Sequence, residues 1–327
     1  MFEPHPCPLS FAWEQRRGGA IFERSGYNAE RLGIAMSHPS PLLTSKGEGQ
    51  GVRFRVLVCS LGSGSSGNAT LIRSAANRTV LIDCGVQYPR LCKNLARLGV
   101  HPSEIDTVLL SHEHSDHTQA ARPLREAARM PVIASPEFVS EATWLADVIT
   151  DTFDPDATRM IGDLAVTPCR VSHDAAATYG FVVEADGCTV TLFTDLGGGS
   201  DEVRMAVGAA DLVVIEANYD GAMLDAGSYP WFLKARIKGR SGHLSNADCG
   251  TLLAQAFTQD CPRDVWLAHL SANNNAPQTA VDTVTGTLHA AGLFRAAVTA
   301  LPRYANGPVW QCVRHQQLTL FQAVDSR

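Results

Sequence analysis

The feature that most constrains this chain is the heptapeptide SHEHSDH at residues 111–117. It directly follows an apolar segment, residues 107–110, that has the composition of a buried β-strand. Imidazole nitrogens and carboxylate oxygens are common ligands of zinc, and a tight turn at a strand end directs several of them at one point. The heptapeptide therefore predicts a metal site, because a solvated polar turn does not require three histidines and an aspartate in this spacing.

The spacing within the heptapeptide favours two metal positions rather than one. His112 and His114 are two residues apart and can reach one ion from an extended segment. Asp116 and His117 fall on the turn into the next predicted helix and can reach a second ion. We therefore expect two divalent ions. Zinc and manganese both remain open, because histidine suits zinc whereas carboxylate also suits manganese.

The chain divides into two parts of different composition. Short strands and helices alternate from residue 53 onward, which predicts one layered α/β catalytic domain over residues 52–327. Residues 1–51 are rich in proline, glycine and serine and hold no helical or strand period. We expect them to form a disordered tail, and their composition also suits a start codon assigned too early. With 45% apolar residues, the chain as a whole is not expected to be disordered.

Charge and hydropathy narrow the class of protein. The formal net charge of −6 argues against binding to nucleic acid through a general positive field, so any such contact would come from a local basic patch. No apolar run approaches the roughly 20 residues of a membrane-spanning helix, and the N-terminus lacks the pattern of a secretory signal. We therefore expect a cytoplasmic enzyme without a membrane partner, whose oligomeric state the sequence does not indicate.

The nine cysteines are scattered along the chain without a CxxC pair, and their number is odd. Both features argue against a disulfide framework. Cys59, Cys84 and Cys188 lie in apolar, strand-like segments, where a buried thiol behaves as a small apolar side chain. We therefore predict reduced, structural cysteines.

Together with the residues that follow it, the heptapeptide resembles the metal-binding motif of the metallo-β-lactamase superfamily. The resemblance implies an αββα sandwich, in which two mixed β-sheets are flanked by helices and the metal site lies at one rim. It also implies further ligands after later strands, with His173 as the third metal histidine, Asp195 bridging the two metals and His269 on the second. Asp83 matches an early aspartate of the family, which implies a residue that supports the histidine loop without being a ligand. An ordinary turn aspartate beside Gly85 is the alternative.

Several residues resemble the branch of this superfamily that cleaves phosphodiesters. The bridging position is Asp195 rather than cysteine, which suits an in-line displacement at phosphorus by a metal-bridging hydroxide. Glu216 and His243 resemble a pair found in ribonuclease Z and related nucleases, in which the carboxylate holds a histidine that protonates the leaving group. For His243, a place in the cap region of the following helix is the alternative. Ser271 resembles the serine that holds phosphate in relatives of ribonuclease J.

Four stretches taken together resemble the YycJ/WalJ group of the superfamily. They are residues 61–70, the heptapeptide, residues 229–246 and residues 267–274. The resemblance extends from about residue 54 to the C-terminus and implies a 5′-to-3′ DNA exonuclease or phosphodiesterase activity. We count Asn68, in the first stretch, among the candidate substrate-binding residues.

The stretch before His243 combines basic and aromatic residues. Its basic residues alternate, so that an extended chain would place all of them on one side: Lys234, Arg236, Lys238 and Arg240. Tyr229 and Trp231 lie just upstream and can stack on bases, which is a sequence-tolerant way to bind single strands. The pattern favours single-stranded DNA or another phosphodiester as substrate, and an ordinary solvated hairpin is the alternative.

Two other functions remain open at this point. The same metal site would suit a hydrolase of small molecules such as a thioester, a lactone or a cyclic nucleotide, and the negative net charge slightly favours a small substrate. A non-catalytic, metal-binding regulatory module is the remaining alternative. The candidate acid His243, beside a complete set of ligands, argues against that last function.

Overall fold

The computed structural model describes residues 55–312, and the predicted disordered tail at residues 1–51 lies outside the described residues. Two sheets of seven strands each form the centre of the described region. The strands are β1 (Val56–Gly62), β2 (Ala69–Ser74), β3 (Thr79–Ile82), β4 (Thr107–Leu109), β5 (Val132–Ala134), β6 (Asp151–Thr152), β7 (Arg159–Ile161), β8 (Leu164–Val171), β9 (Thr178–Ala185), β10 (Cys188–Phe193), β11 (Leu212–Glu216), β12 (Arg263–Ala268), β13 (Ala296–Ala300) and β14 (Val309–Gln311).

The helices lie in the connections between these strands. They are α1 (Tyr88–Arg97), α2 (Ser115–Thr118), α3 (Ala121–Ala128), α4 (Pro136–Glu141), α5 (Asp201–Ala209), α6 (Gly221–Ala226), α7 (Trp231–Ile237), α8 (Asn246–Ala256) and α9 (Pro277–Ala290). Among residues 55–312, no helix combines the length and apolar character that crossing a membrane requires.

Both sheets are mixed. The first has the order β14-β1-β2-β3-β4-β5-β6, and the second has the order β13-β12-β11-β10-β9-β8-β7. Strands β3 to β6 pair in parallel, as do strands β10 to β13, while the remaining pairs are antiparallel. The carboxyl ends of neighbouring parallel strands lie at the same edge of a sheet, so loops that follow β3, β4, β10, β11 and β12 can converge at one rim.

Three apolar layers hold the sheets and helices together. The central layer joins residues of both sheets, such as Val58 and Ile72 from the first and Phe181 and Val190 from the second. A second layer packs the outer face of the first sheet against α1, α3 and α4, and a third packs the outer face of the second sheet against α5, α8 and α9. This order of layers confirms the predicted αββα sandwich.

Strand β12 illustrates why the strands are apolar on both faces. Trp266 and Ala268 point into the layer between the sheets, whereas Val265 and Leu267 point into the helix-covered layer. Because successive side chains of a strand point to opposite faces, a strand covered on both sides needs a continuous apolar sequence. Because β12 is packed on both faces, its last residue, Ala268, is held in place, and His269 follows directly after it.

The prediction of reduced cysteines is wrong for Cys188, which forms a disulfide with Cys312. Cys188 opens β10 in the second sheet and Cys312 follows β14 in the first, so the bond joins the two sheets across the central apolar layer. The two residues are 124 positions apart, and their proximity arises only from the sandwich topology. Cys59 and Cys84 are buried free thiols, as predicted.

Replacing Cys312 with serine is expected to lower the unfolding free energy of the oxidised protein by about 2–4 kcal/mol, because the bond closes a long loop in the unfolded chain. Urea unfolding followed by circular dichroism measures this change without reductant and again with dithiothreitol. The difference between wild type and variant should disappear with reductant, and Cys261→Ser, which alters a free cysteine, should not reproduce it. Equal midpoints without reductant would show that the bond does not form.

Candidate metal centre

Three polar residues of the site adopt left-handed backbone conformations at strand ends. Asp83 directly follows β3, Asp195 lies just beyond β10, and His269 directly follows β12. Their φ angles are 57°, 53° and 55°. Residues other than glycine seldom adopt this conformation, which typically costs about 1 kcal/mol or more and clusters at functional sites. All three residues follow the ends of strands, and their side chains lie at the rim between the two sheets.

The first group of candidate ligands consists of His112, His114 and His173. Atoms able to bind a metal on all three lie within 4.8 Å of one another. His112 is fully buried, and its Nε2 lies 3.0 Å from Nδ1 of His114. His173 donates from Nδ1 to the carbonyl oxygen of Gly242 at 3.1 Å, which leaves Nε2 for a metal. The structure therefore brings together three histidines from two separate loops.

The second group consists of Asp116, His117 and His269. Asp116 Oδ2 lies 3.3 Å from His269 Nε2 and 3.8 Å from His117 Nε2. His117 and His269 are buried, while Asp116 retains some exposure towards solvent. His269, which follows β12 of the second sheet, thus lies beside two residues of the heptapeptide.

Asp195 lies between the two groups and contacts both. Its Oδ1 is 3.6 Å from His173 Nε2 and 3.4 Å from His269 Nδ1. Its Oδ2 is buried and lies 2.8 Å from His117 Nε2. A buried carboxylate surrounded in this way by imidazole nitrogens fits a position where a cation belongs.

Neighbouring carboxylates determine the direction of the pKa shifts of the buried His117 and His269. Burial lowers the pKa of His117, but the Asp83 and Asp195 carboxylates outweigh burial and raise it well above the usual range. Burial likewise opposes the charged form of His269, yet its acidic neighbours, Asp195 foremost, raise its pKa to about 10. The neighbouring carboxylates thus favour protons on both of these histidines. Metal binding displaces such protons, so the donor set suits a divalent cation.

Asp83 supports the heptapeptide loop without joining either ligand group. Its Oδ1 accepts a hydrogen bond from the backbone N–H of Ser111, and its Oδ2 lies 2.7 Å from Nδ1 of His117. The adjacent Gly85 packs against the same loop, since a Cβ there would lie only 1.6 Å from the carbonyl oxygen of Asp116. Asp83 thus fixes the orientation of His117 and directs its Nε2 towards Asp195.

Glu216, the last residue of β11, holds two histidines. It is fully buried, and its Oε1 lies 2.8 Å from Nδ1 of His243 and 2.7 Å from Nδ1 of His269. Its Oε2 accepts the backbone N–H groups of Leu196 and Leu244. Burial alone would raise the pKa of Glu216, but His243 and His269 lower it to about 2, so the residue is a carboxylate at neutral pH. The contact with His269 is one that the sequence did not indicate.

His243 lies on the loop between α7 and α8 and lines the cleft above the ligand groups. Burial lowers its pKa, but the charge and hydrogen bond of Glu216 outweigh burial and raise it. With Nδ1 directed at Glu216, Nε2 is the nitrogen that can present a proton to a bound molecule. The N-cap of α8 is Ser245, whose hydroxyl accepts the N–H of Asp248, so His243 is not needed for capping.

The cleft is open to solvent, and the space between its walls, including the part continuous with solvent, is about 580 Å³. Its wall includes members of both ligand groups and also residues of α7 and of the loop at residues 62–68. These lining residues are Ser65, His114, Asp116, His173, Asp174, Asp195, Leu233, Arg236, Ile237, Gly242, His243 and His269.

The basic stretch before His243 is helical, which corrects the expectation of an extended chain with four basic residues on one side. Residue 234 in α7 and residue 238 at its C-cap share one face, and residue 236 points elsewhere because a helix turns every 3.6 residues. Lys238 pairs with Asp225, and Lys234 donates to the carbonyl oxygen of Asp225. Arg236 pairs with Asp174 and lines the cleft, while Arg240 is exposed beyond the helix.

The aromatic residues near α7 differ in exposure. Trp231 and Phe232 expose 80% and 59% of their surface and contact each other edge to face with ring centres 6.3 Å apart. Tyr229 is half-buried, and its hydroxyl accepts a hydrogen bond from Nδ2 of Asn273. Trp231 is therefore the aromatic side chain of the predicted set that a ligand can reach most readily.

Two other predicted substrate-binding residues are engaged within the protein. Asn68 accepts the N–H of Gly64 through Oδ1, and its Nδ2 lies 3.1 Å from Nε2 of His117. The Ser271 hydroxyl accepts the backbone N–H groups of Asn273 and Asn274. Both residues hold loops in place beside the ligand groups, and neither lines the cleft.

Sequence reasoning did not single out several residues that position the site. Ser63 accepts the N–H of His269 through Oγ, and Asn218 donates to the His269 carbonyl oxygen. Asp174 pairs with Arg236 directly beside His173. Only the Asp174 position carried a local signal, since it adjoins a predicted ligand, whereas the others depend on contacts between distant loops.

Comparisons with known proteins agree with this architecture. A family model described as the beta-lactamase superfamily domain matches residues 78–270. The exodeoxyribonuclease WalJ of Streptococcus pneumoniae is 32% identical over 239 residues, which cover 71% of this chain and 88% of that protein. The exodeoxyribonuclease YycJ of Bacillus anthracis is 30% identical over 251 residues, covering 74% and 91%, respectively.

Among solved structures, the metallo-beta-lactamase fold protein YhfI of Bacillus subtilis superposes with a TM-score of 0.60 at 18% identity. The match covers 79% of this chain and 99% of YhfI, and at this identity it speaks for the fold alone. The sandwich topology, the histidine–carboxylate groups at its rim and the family match together show that this chain belongs to the beta-lactamase superfamily.

Proposed function

We propose that this protein is a 5′-to-3′ DNA exonuclease that requires two divalent ions, zinc or manganese. The observation that carries the proposal is that one cleft contains both the histidine–carboxylate groups and a histidine held by a buried glutamate. The similarity to two proteins named exodeoxyribonucleases, each matched over most of its length, supports DNA as the substrate.

The ligand groups suggest how the two ions would be held. The proposed ligands are His112, His114, His173 and Asp195 for the first ion and Asp116, His117, His269 and Asp195 for the second. Ions bound there would activate a water molecule and offset the negative charge that builds up on the phosphate. Asp116 also faces the cleft, where its carboxylate can accept the proton of the attacking water.

His243 is proposed to protonate the leaving oxygen. The new bond joins the water oxygen to phosphorus, and the bond that breaks joins phosphorus to the 3′-oxygen of the terminal nucleotide. That oxygen departs poorly as an alkoxide, so a proton donor beside it typically contributes about a hundredfold or more to the rate. Glu216 supports this role because it fixes the ring through Nδ1 and favours the protonated form.

The wall formed by α7 is the proposed contact with single-stranded DNA. Exposed Trp231 offers a surface on which a base can stack, and such stacking does not depend on base identity. Arg236 brings a positive charge into the cleft. Lys234 and Lys238 are closer to the neighbouring helix α6, where Asp225 engages both, so we expect them to contribute less than Arg236 to binding.

The proposed activity is tested by incubating the protein with Mn²⁺ or Zn²⁺ and a single-stranded DNA labelled at its 3′ end. Wild type should remove mononucleotides from the 5′ end, which is seen as progressive shortening of the labelled strand. Asp116→Ala should reduce the rate of this shortening by about a thousandfold because it removes a proposed ligand. Asp147→Ala, which removes an exposed carboxylate at a distance from the cleft, serves as the matched control. Intact DNA together with rapid turnover of a lactone or thioester would contradict the proposal and favour a small-molecule hydrolase.

A further inference from the structure

An ion pair lies at the lip of the cleft, next to the first group of candidate ligands. Arg236 of α7 donates from Nε to Oδ2 of Asp174 at 2.7 Å, and its Nη2 contacts the same carboxylate. Asp174 Oδ1 lies 3.2 Å from Nε2 of His173. Both residues of the pair line the cleft, and 68% of the Arg236 side chain and 28% of the Asp174 side chain are exposed.

The pair leaves much of the guanidinium available for a ligand. An arginine has five N–H donors in a planar fork, and the contact with Asp174 uses two of them. The remaining donors match the spacing of two phosphate oxygens, which arginine recognises more specifically than lysine does. Asp174 therefore holds the plane of the guanidinium in place at the cleft.

We infer that Arg236, oriented by Asp174, forms a subsite for the 5′-terminal phosphate monoester of the DNA. The inference rests on the proposed exonuclease function and deepens it. A phosphate monoester carries a charge of about −1.5 to −2 at neutral pH, whereas an internal diester carries a single charge, so a guanidinium favours the monoester. Breaking the bond to the 3′-oxygen also leaves a new 5′-phosphate on the shortened strand, so every cycle after the first presents that group to the cleft.

Asp174 also makes the subsite depend on Arg236, because the Asp174 carboxylate repels phosphate when it is not paired. Without the guanidinium, this carboxylate would face an incoming phosphate at the lip of an already acidic cleft, and like charges repel. Arg236→Gln should therefore weaken binding twice, by removing donors and by exposing Asp174. Adding Asp174→Asn to that variant should restore part of the binding, although the donors are still missing.

The test uses two single-stranded oligonucleotides that carry fluorescein at the 3′ end and differ only in the 5′-phosphate. Competitive cleavage gives the ratio of their kcat/KM values, and fluorescence anisotropy gives their affinities in the His243→Gln background, where cleavage is slow. Wild type should prefer the phosphorylated strand by about tenfold or more, the size expected of one charge-assisted contact. Arg236→Gln should abolish that preference in both measurements. Arg122→Gln, which breaks an exposed arginine–aspartate pair away from the cleft, should keep it.

The possible outcomes separate this inference from the proposed function. Equal affinities for the two strands in the His243→Gln background, or an unchanged preference after Arg236→Gln, would overturn the subsite whatever the cleavage activity. Preferential binding of the phosphorylated strand that depends on Arg236, without any cleavage by wild type, would support the subsite and overturn the exonuclease proposal. If Asp174→Asn partly restores binding to Arg236→Gln, the result would support repulsion between Asp174 and the phosphate. If binding does not recover, that repulsion is overturned.

Discussion

Replacement of Asp195 with asparagine is expected to remove bound metal and to lower the rate of DNA cleavage by about a thousandfold or more. The two oxygens of Asp195 face three histidines that come from both ligand groups. Burial would raise the pKa of Asp195, but His269 and His117 hold it well below the usual range, so the group is an anion. Asparagine has almost the same shape but lacks the charge, and its NH₂ group cannot bind a cation.

Metal content and thermal unfolding measure this effect independently of activity. Elemental analysis should find about two divalent ions per wild-type chain and fewer in Asp195→Asn. Added metal should raise the Tm of wild type, because an ion that binds only the folded state stabilises it, and the variant should respond less. Asp201→Asn, at an exposed position on α5, is the matched control. A variant that keeps both ions and near-normal activity would contradict the bridging role.

Only the ligands of the heptapeptide were predictable from local spacing, whereas His173, Asp195 and His269 were assigned through the family resemblance. His269 follows β12, a strand whose apolar sequence reflects burial on both faces. Once parallel strands share an edge, side chains just beyond their ends must approach one another. The left-handed backbone at Asp195 and His269 was not predictable in this way, since aspartate and histidine give only a weak preference for that conformation.

The conformation of α7 shows where sequence patterns compete. Alternating basic residues would share one side of an extended chain. The stretch also contains good helix formers, Leu233 and Ala235, after Pro230. Charge alternation on a surface carries no information about burial, whereas apolar periodicity does. The helix was therefore chosen by propensity and by the contacts of Lys234 and Lys238 with Asp225.

Contacts between residues far apart in sequence were the least predictable. The Cys188–Cys312 bond and the contact of Glu216 with His269 join segments that have no shared motif. Glu216 and His243 were paired through a family resemblance, and the second histidine on the same carboxylate follows only from the register of β11 and β12, in which Glu216 lies beside Ala268. Such contacts depend on strand order, which local patterns do not specify.

His243→Gln is expected to slow cleavage of DNA by about a hundredfold to ten-thousandfold, the range typical of a lost general acid. The effect should depend on the leaving group, because a donor matters only where the departing oxygen needs a proton. The nitrophenyl ester of thymidine monophosphate releases nitrophenolate, a stable anion that needs no proton donor. The rate of its hydrolysis should therefore fall much less. Measuring kcat for both substrates separates loss of the acid from loss of metal. An equal decrease on both would contradict a proton-donor role.

Glu216→Gln should behave differently from His243→Gln, because Glu216 contacts two histidines with separate proposed roles. Glutamine keeps the shape but removes the charge that fixes His243 and His269 through their Nδ1 atoms. Hydrolysis of the nitrophenyl ester should therefore fall as well, by roughly 10- to 100-fold, since removing a group that orients a metal ligand weakens metal binding to that extent. Metal content should fall in Glu216→Gln and stay normal in His243→Gln. If both variants spare the nitrophenyl ester and keep their metal, Glu216 acts through His243 alone and its contact with His269 does not support metal binding.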